Sequence, residues 1–346
     1  MDLTKYYVHG RTGIANMGNT CFLNSCMQVI NHTYELNELL RSSGLNKLLK
    51  IDTDDGKLMS EWIDLHNVMW SGNGIVTPRK FVHNVHTIAK KKGVELFTGF
   101  AQNDMPEFLL FIIDCMHNSI SRCVNMNISG TPMNNKDIMA TKCYNMLKTI
   151  YSKEYSEVMD LFYGIYVSEI ISKDLTTYHA MKPEHFFILD LPIFNNDQPF
   201  NNIYECLNHY TQSETLSGDN SWFNEKTKQK EEVIKQISFW SFPKIFVVVL
   251  KRFTPDGRRK IVSKVDFPVN NLNLSAYVKG YNQLSYVYDL YGICNHFGGT
   301  SGGHYTAFVK NAKNEWIHYN DDIIEDIKQE SDLITSNAYC LFYRKK

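Results

Sequence analysis

No two cysteines of this 346-residue chain stand in a C-x-x-C pair, which removes the usual sequence argument for a structural zinc. Nor is there a basic surplus: 36 Lys and Arg face 37 Asp and Glu, a formal charge of −1. A general nucleic-acid binder would need one. The short clusters at residues 90–92, 258–260 and 344–346 read as solvated surface. No apolar run approaches bilayer length. The most apolar stretch, residues 245–250, follows Pro243 and Lys244 and suits a buried strand, so no membrane association is expected. The opening Met1-Asp2-Leu3-Thr4-Lys5-Tyr6 lacks the apolar segment of a secretory signal. The eight cysteines then read as reduced thiols of a cytoplasmic or nuclear protein. No internal repeat or low-complexity tract stands out.

What is present is ordinary globular chemistry, 43% hydrophobic and 21% charged, in a chain long enough for one large fold with sub-domains. The first part reads as helical. Residues 21–30 carry a broad apolar face. Asp104, Pro106 and Glu107 ahead of a run from Phe108 to Ile113 form a helix start with an Asp cap and Glu three residues on. From about Phe162 the pattern changes to Val-, Ile-, Phe- and Tyr-rich runs at 162–171, 186–191, 245–253, 286–294, 305–310 and 337–343. A polar segment, 195–236, lies among them with a possible helix at 202–210. Helices first and antiparallel strands later predict an α+β fold.

Two segments carry chemistry. Residues 13–28 read GIANMGNTCFLNSCMQ: a Gly- and Asn-rich turn able to take unusual backbone angles, feeding an apolar helix with Cys21 in its first turn. There the helix dipole and free backbone N–H groups favour thiolate, and turn amides with a nearby Asn side chain could hold an oxyanion. A cysteine in an apolar helix is more often a small hydrophobe, the reading kept for Cys26 and Cys115. Residues 291–310 supply a base, His304, closing a loop with four glycines at the start of a strand. If residues 311–314 make a four-residue turn with Lys310 facing Glu315, the returning strand sets Asp321 opposite His304, with Asn320 adjacent. A slip of one residue exchanges the two.

Taken together, GIANMGNTCFLNS at 13–25, QNDMPEFL at 102–109, LKRF at 250–253, NHFGGTSGGHYTAFVK at 295–310 and WIHYNDD at 316–322 resemble the ordered boxes of the ubiquitin-specific proteases, spanning residues 13–343. The resemblance implies a papain-like cysteine protease fold of thumb, palm and fingers. Its catalytic domain would run over 13–346, with thumb near 13–155, fingers mainly 156–255, palm mainly 256–346, and an extension at 1–12. It implies a monomeric isopeptidase that cleaves after the C-terminal glycine of ubiquitin on ubiquitinated proteins. Cys21 falls on the nucleophile, His304 on the base, Asn320 on the orienter in place of the commoner Asp, Asn16 on the oxyanion donor, and Asp321 beside them. Gln102, Asp104, Glu107, His296 and Tyr305 fall on positions expected to line the channel for the ubiquitin tail. Both finger cysteine pairs are missing, replaced near Ser172 and Leu175 and near Phe223 and Lys226, so no cofactor is expected and the finger zinc reads as lost. Two rivals fit the same boxes: an inactive ubiquitin-binding relative, and a protease for another ubiquitin-like modifier.

Overall fold

The computed structural model describes residues 2–99, 101–195, 198–254, 256–299 and 302–346. Its first half is built from α1 (Cys21–Asn31), α2 (Tyr34–Arg41), α3 (Leu45–Leu48), α4 (Asp54–Ser71), α5 (Arg79–Lys91), α6 (Met105–Ile120), α7 (Asn135–Tyr151) and α8 (Glu157–Phe162). Two short strands interrupt them, β1 (Thr12–Ile14) and β2 (Gly74–Val76), paired in parallel. Every residue of α1 is buried, because the helix runs between α6 and the main sheet. A helix closed in on all sides must be apolar nearly all round, and its few polar residues need partners.

The second half carries β3 (Gly164–Ser172), β4 (Tyr178–Phe186), β5 (Ile188–Pro192), β6 (Phe194–Asn195), β7 (Gln198–Pro199), α9 (Ile203–Tyr210), β8 (Glu214–Leu216), β9 (Trp222–Asn224), β10 (Gln229–Glu231), β11 (Val233–Ser241) and β12 (Ile245–Lys251). It continues through β13 (Leu272–Asn273), β14 (Val287–Gly299), β15 (Gly302–Lys310), β16 (Trp316–Asn320), β17 (Ile323–Ile327) and β18 (Ala338–Lys345). The main sheet runs β17-β16-β15-β14-β18-β12-β5, with β13 on β14, and a four-stranded sheet runs β4-β3-β11-β8. The segment 156–255 therefore serves both: β5 and β12 belong to the main sheet. The expected antiparallel arrangement also has an exception, since β12 pairs β5 in parallel. The sheets are held by three apolar clusters. One fills the space between the helices and the main sheet. A second covers the opposite face of that sheet, with α9. The third, including Met139, Cys143, Val167 and Trp240, fixes α7 to the four-stranded sheet.

One local detail decides the site. The β15–β16 ladder pairs Ala307 with Tyr319 and Lys310 with Trp316, not Lys310 with Glu315. The connection has five residues rather than four. The Asn311 N–H donates to the Glu315 carbonyl at 2.9 Å, Asn311 Oδ1 accepts from the N–H groups of Lys313 and Glu315, and Asn314 takes φ +64°. Asparagine tolerates that left-handed geometry. The one-residue change moves Asn320, instead of Asp321, onto the sheet face of His304.

Candidate active site

The thiol comes from the thumb helices. Gly18 and Asn19 adopt φ +98° and +53°, conformations open to glycine and asparagine, and the turn is tied from within. Asn16 Oδ1 accepts from the N–H groups of Gly18 at 2.9 Å and Thr20 at 3.2 Å, while Thr20 Oγ1 accepts from Met17 N–H at 2.9 Å. Cys21 follows as the first residue of α1. The expected bias toward thiolate is corrected here. Burial pushes the Cys21 thiol up, the nearby Asp321 charge adds to this, and backbone hydrogen bonds from Tyr305, Phe22 and Cys21 itself draw it down. Loss of solvation thus outweighs the helix start. The Tyr305 amide that reaches Cys21 belongs to the residue after His304, so the thiol lies against the start of β15, the strand that carries His304.

On the sheet side, His304 Nε2 lies 2.6 Å from Asn320 Oδ1. An amide oxygen can only accept, so Nε2 is the donor here, and in the neutral ring that leaves the Nδ1 lone pair for proton transfer. Asp321 points elsewhere. It sits at φ +52°, and its Oδ2 and Oδ1 accept from Asn16 Nδ2 at 2.9 Å and Asn24 Nδ2 at 2.7 Å. Asn24 was not among the sequence candidates. The available signal was an amide on an otherwise apolar helix face, which must find a partner once buried.

Beside Cys21 a cleft of about 350 Å³ is lined by Gln102, Asp104, His296, Gly302, Gly303 and Tyr305, among others. Its narrowness is structural: a Cβ on Gly303 would stand 2.2 Å from the Phe297 carbonyl oxygen and 2.3 Å from His296 Nε2. Gln102 Oε1 accepts from the Gly303 N–H at 2.7 Å, joining helical and sheet halves across the cleft. The box that supplied His304 also contains Thr300 and Ser301, which lie outside the described residues. His296 is buried, its ring 4.7 Å from that of Tyr305, and burial, then Lys260, pushes it down to about 4. It is a neutral wall of the cleft.

The capping role expected of Asp104 is not made. Asp104 does occupy the N-cap of α6, but its side chain makes no cap hydrogen bond. Pro106 has no N–H to offer, and the carboxyl group accepts instead from Tyr305 OH at 2.8 Å and Tyr339 OH at 3.1 Å. Burial pushes Asp104 up. Glu107 is exposed, and burial, then Asp104, raises it. With Asp190, which sequence reasoning missed, these acids line a second depression next to the cleft. Tyr339 was missed too; it reaches Asp104 only because β18 lies beside β14.

The finger positions do not fit a zinc ion. Leu175 and Phe223 offer no lone pair, and among the described residues no group of His, Cys, Asp and Glu gathers as a metal site. Polar side chains hold the two turns. Asp174 Oδ1 accepts from the Thr176 N–H at 3.1 Å and hydroxyl at 2.8 Å. Asn224 donates to Glu231 at 2.9 Å and accepts from the Lys226 N–H at 2.9 Å. Between the hairpins, the His179 ring lies 5.5 Å from that of Trp222.

The signature of the family described as "Ubiquitin carboxyl-terminal hydrolase" matches residues 12–343. "Ubiquitin carboxyl-terminal hydrolase 2" of Bos taurus is 33% identical over 342 residues, covering 96% of this chain and 55% of that protein. "Ubiquitin carboxyl-terminal hydrolase Usp2" of Drosophila melanogaster is 32% identical over 345 residues, covering 97% of this chain and 35% of that one. The chain spans about half the length, or less, of these curated relatives. Among solved structures, the SAGA Ubp8/Sgf11/Sus1/Sgf73 DUB module bound to ubiquitin aldehyde is similar over 100% of this chain and 72% of that one, with a TM-score of 0.75 and 25% identity. The module bound to monoubiquitin gives the same score and identity.

Proposed function

Because the chain belongs to the ubiquitin carboxyl-terminal hydrolase family, we propose that it is a cysteine isopeptidase that releases ubiquitin from conjugated proteins by cleaving after its C-terminal glycine. The observation that carries this reading is the junction itself: a helix-start thiol, Cys21, on a glycine-walled cleft and bonded by the Tyr305 backbone amide, next in sequence to His304, whose ring is held by Asn320 at 2.6 Å. Nδ1 of His304 takes the thiol proton as Sγ attacks the scissile carbonyl. The Sγ–C bond forms, and the carbonyl electrons move to an oxyanion met by the remaining Asn16 N–H and the amides at the start of α1. The same histidine returns the proton to the leaving lysine amine. Water, activated by His304, then attacks the thioester and restores the thiol. Since burial holds the resting thiol up, proton transfer to His304 accompanies attack. The acids Asp104, Glu107 and Asp190 suit the arginines of the ubiquitin tail, and the slot at Gly302 and Gly303 suits its terminal glycines.

Incubation with an electrophilic ubiquitin probe tests this directly. One adduct, mapped to Cys21 and absent from Cys21→Ala, is expected, with ubiquitin binding retained by the variant. An adduct at Cys26, Cys206 or Cys294, or preference for the probe of another modifier, overturns the reading.

A further inference from the structure

Asn24 lies one helical turn after Cys21 and is only 1% exposed. Its Nδ2 donates to Asp321 Oδ1 at 2.7 Å and to the Ile14 carbonyl at 3.2 Å, while its Oδ1 is buried without a partner among the described residues. An orphaned amide oxygen costs stability, so an apolar side chain would serve packing better at this position. What the amide secures is the carboxyl group of Asp321, whose other oxygen accepts from Asn16 Nδ2 at 2.9 Å.

The consequences for Asn16 follow by counting. Its Oδ1 is occupied by the N–H groups of Gly18 and Thr20, and one of its two amide hydrogens goes to Asp321. One N–H remains. The direction of that hydrogen is set by Asp321, and Asp321 is set by Asn24. The backbone keeps this register: Ile14 N–H donates to the Asp321 carbonyl at 3.0 Å, and a Cβ on Gly13 would stand 2.7 Å from the Asp322 carbonyl oxygen. Asp321 also raises the Cys21 thiol, so its presence is not explained by activation of the nucleophile. A positioning role accounts for it.

We infer that Asn24 is a positioning residue for the oxyanion site, fixing Asp321 and through it the one Asn16 N–H left for the tetrahedral intermediate. The inference rests on the proposed hydrolase reading. It requires Asn24 and Asp321 to act as one unit, so that removing both costs no more than removing either.

The test uses the whole chain with a fluorogenic ubiquitin C-terminal reporter, comparing Asn24→Ala, Asp321→Ala and the double variant. A wild-type chain with no turnover would sink the hydrolase reading and this inference with it, whereas an active wild type with unaffected variants would sink this inference alone. With an active wild type, each single variant is expected to lose kcat about tenfold, a fraction of the roughly 10²–10³ lost when an oxyanion donor is deleted. KM should stay within about twofold, as for an interaction made in the transition state. The double variant should lie within about threefold of the slower single variant. Alkylation of Cys21 by iodoacetamide, which reports thiolate formation, should not fall below about half of wild type, and removal of the Asp321 charge should if anything speed it. If Asn24→Ala fails to melt cooperatively, Asn24→Ser replaces it; in a helix its hydroxyl bonds the carbonyl four residues back rather than Asp321. Near-wild-type kcat, multiplicative losses in the double variant, or kcat losses matched by equal losses of alkylation and melting temperature each overturn the proposal.

Discussion

His66 should make the helical half of this protein acid-labile. The residue sits on α4, is 1% exposed, and packs between Trp62 and Trp70 at ring separations of 5.8 and 6.3 Å. Its Nε2 has no hydrogen-bond partner among the described residues. Burial, followed by the charges of Arg41 and His32, pushes it down to about 3 from an ordinary 6.5. The unfolded chain therefore binds a proton near pH 6.5 that the folded chain refuses until about pH 3, and stability must fall as pH drops through that window. Between pH 7 and pH 5 the loss from His66 alone is about 2 kcal/mol, because nearly 1.5 pH units below 6.5 are traversed at about 1.4 kcal/mol each. Against a total stability of roughly 5–15 kcal/mol that is a large share. His32, pushed down to about 4 by burial first, adds a slope of the same sign. Asp104 and Asp190, both raised by burial, bind protons more readily when folded and so oppose it just above pH 4. A comparison with His66→Leu cancels these other groups. Urea unfolding of both chains at a series of pH values from 7.5 to 5 should show wild type losing about 2 kcal/mol relative to the variant as pH falls. Parallel curves would show that the ring is protonated, or solvated, in the folded protein and would refute the reasoning.

Three further outcomes are expected. Asn320→Ala should lower kcat with little change in ubiquitin affinity, since it frees only the imidazole, and should exceed the loss in Asp321→Ala; the reverse order in a reporter assay would reassign the orienter. Gly303→Ala should abolish reporter turnover and ubiquitin binding together, because its Cβ would overlap the Phe297 carbonyl and the His296 ring, whereas retained binding would show the cleft wall to be pliable. Chelation should leave the melting temperature unchanged, because Leu175 and Phe223 cannot replace thiolate ligands; one zinc per chain by elemental analysis, lost with structure on chelation, would contradict this.

Much of the molecule was legible in one dimension because the relevant constraints are local. A Gly- and Asn-rich turn before an unbroken apolar segment can hardly be other than a tight turn into a buried helix, and the left-handed Asn19 and the wholly buried α1 follow from those residue types. The helix start at Asp104 and the strand at residues 245–250 were equally plain from their own composition. Wherever an outcome depended on a competition between distant groups, the sequence alone could not decide it. Asn320 meets His304 because a five-residue turn shifts the β15–β16 ladder by one, and a period of two turns that shift into an exchange of faces. Asp104 sits at a helix N-cap, yet two tyrosine hydroxyls from β15 and β18 outbid the cap. Cys21 begins a helix, yet burial against the sheet, a tertiary quantity, sets its proton affinity in the opposite direction. The amide of Asn24 was visible only as an anomaly on an apolar face; that it closes on a carboxyl group 297 positions away is a fact of packing alone.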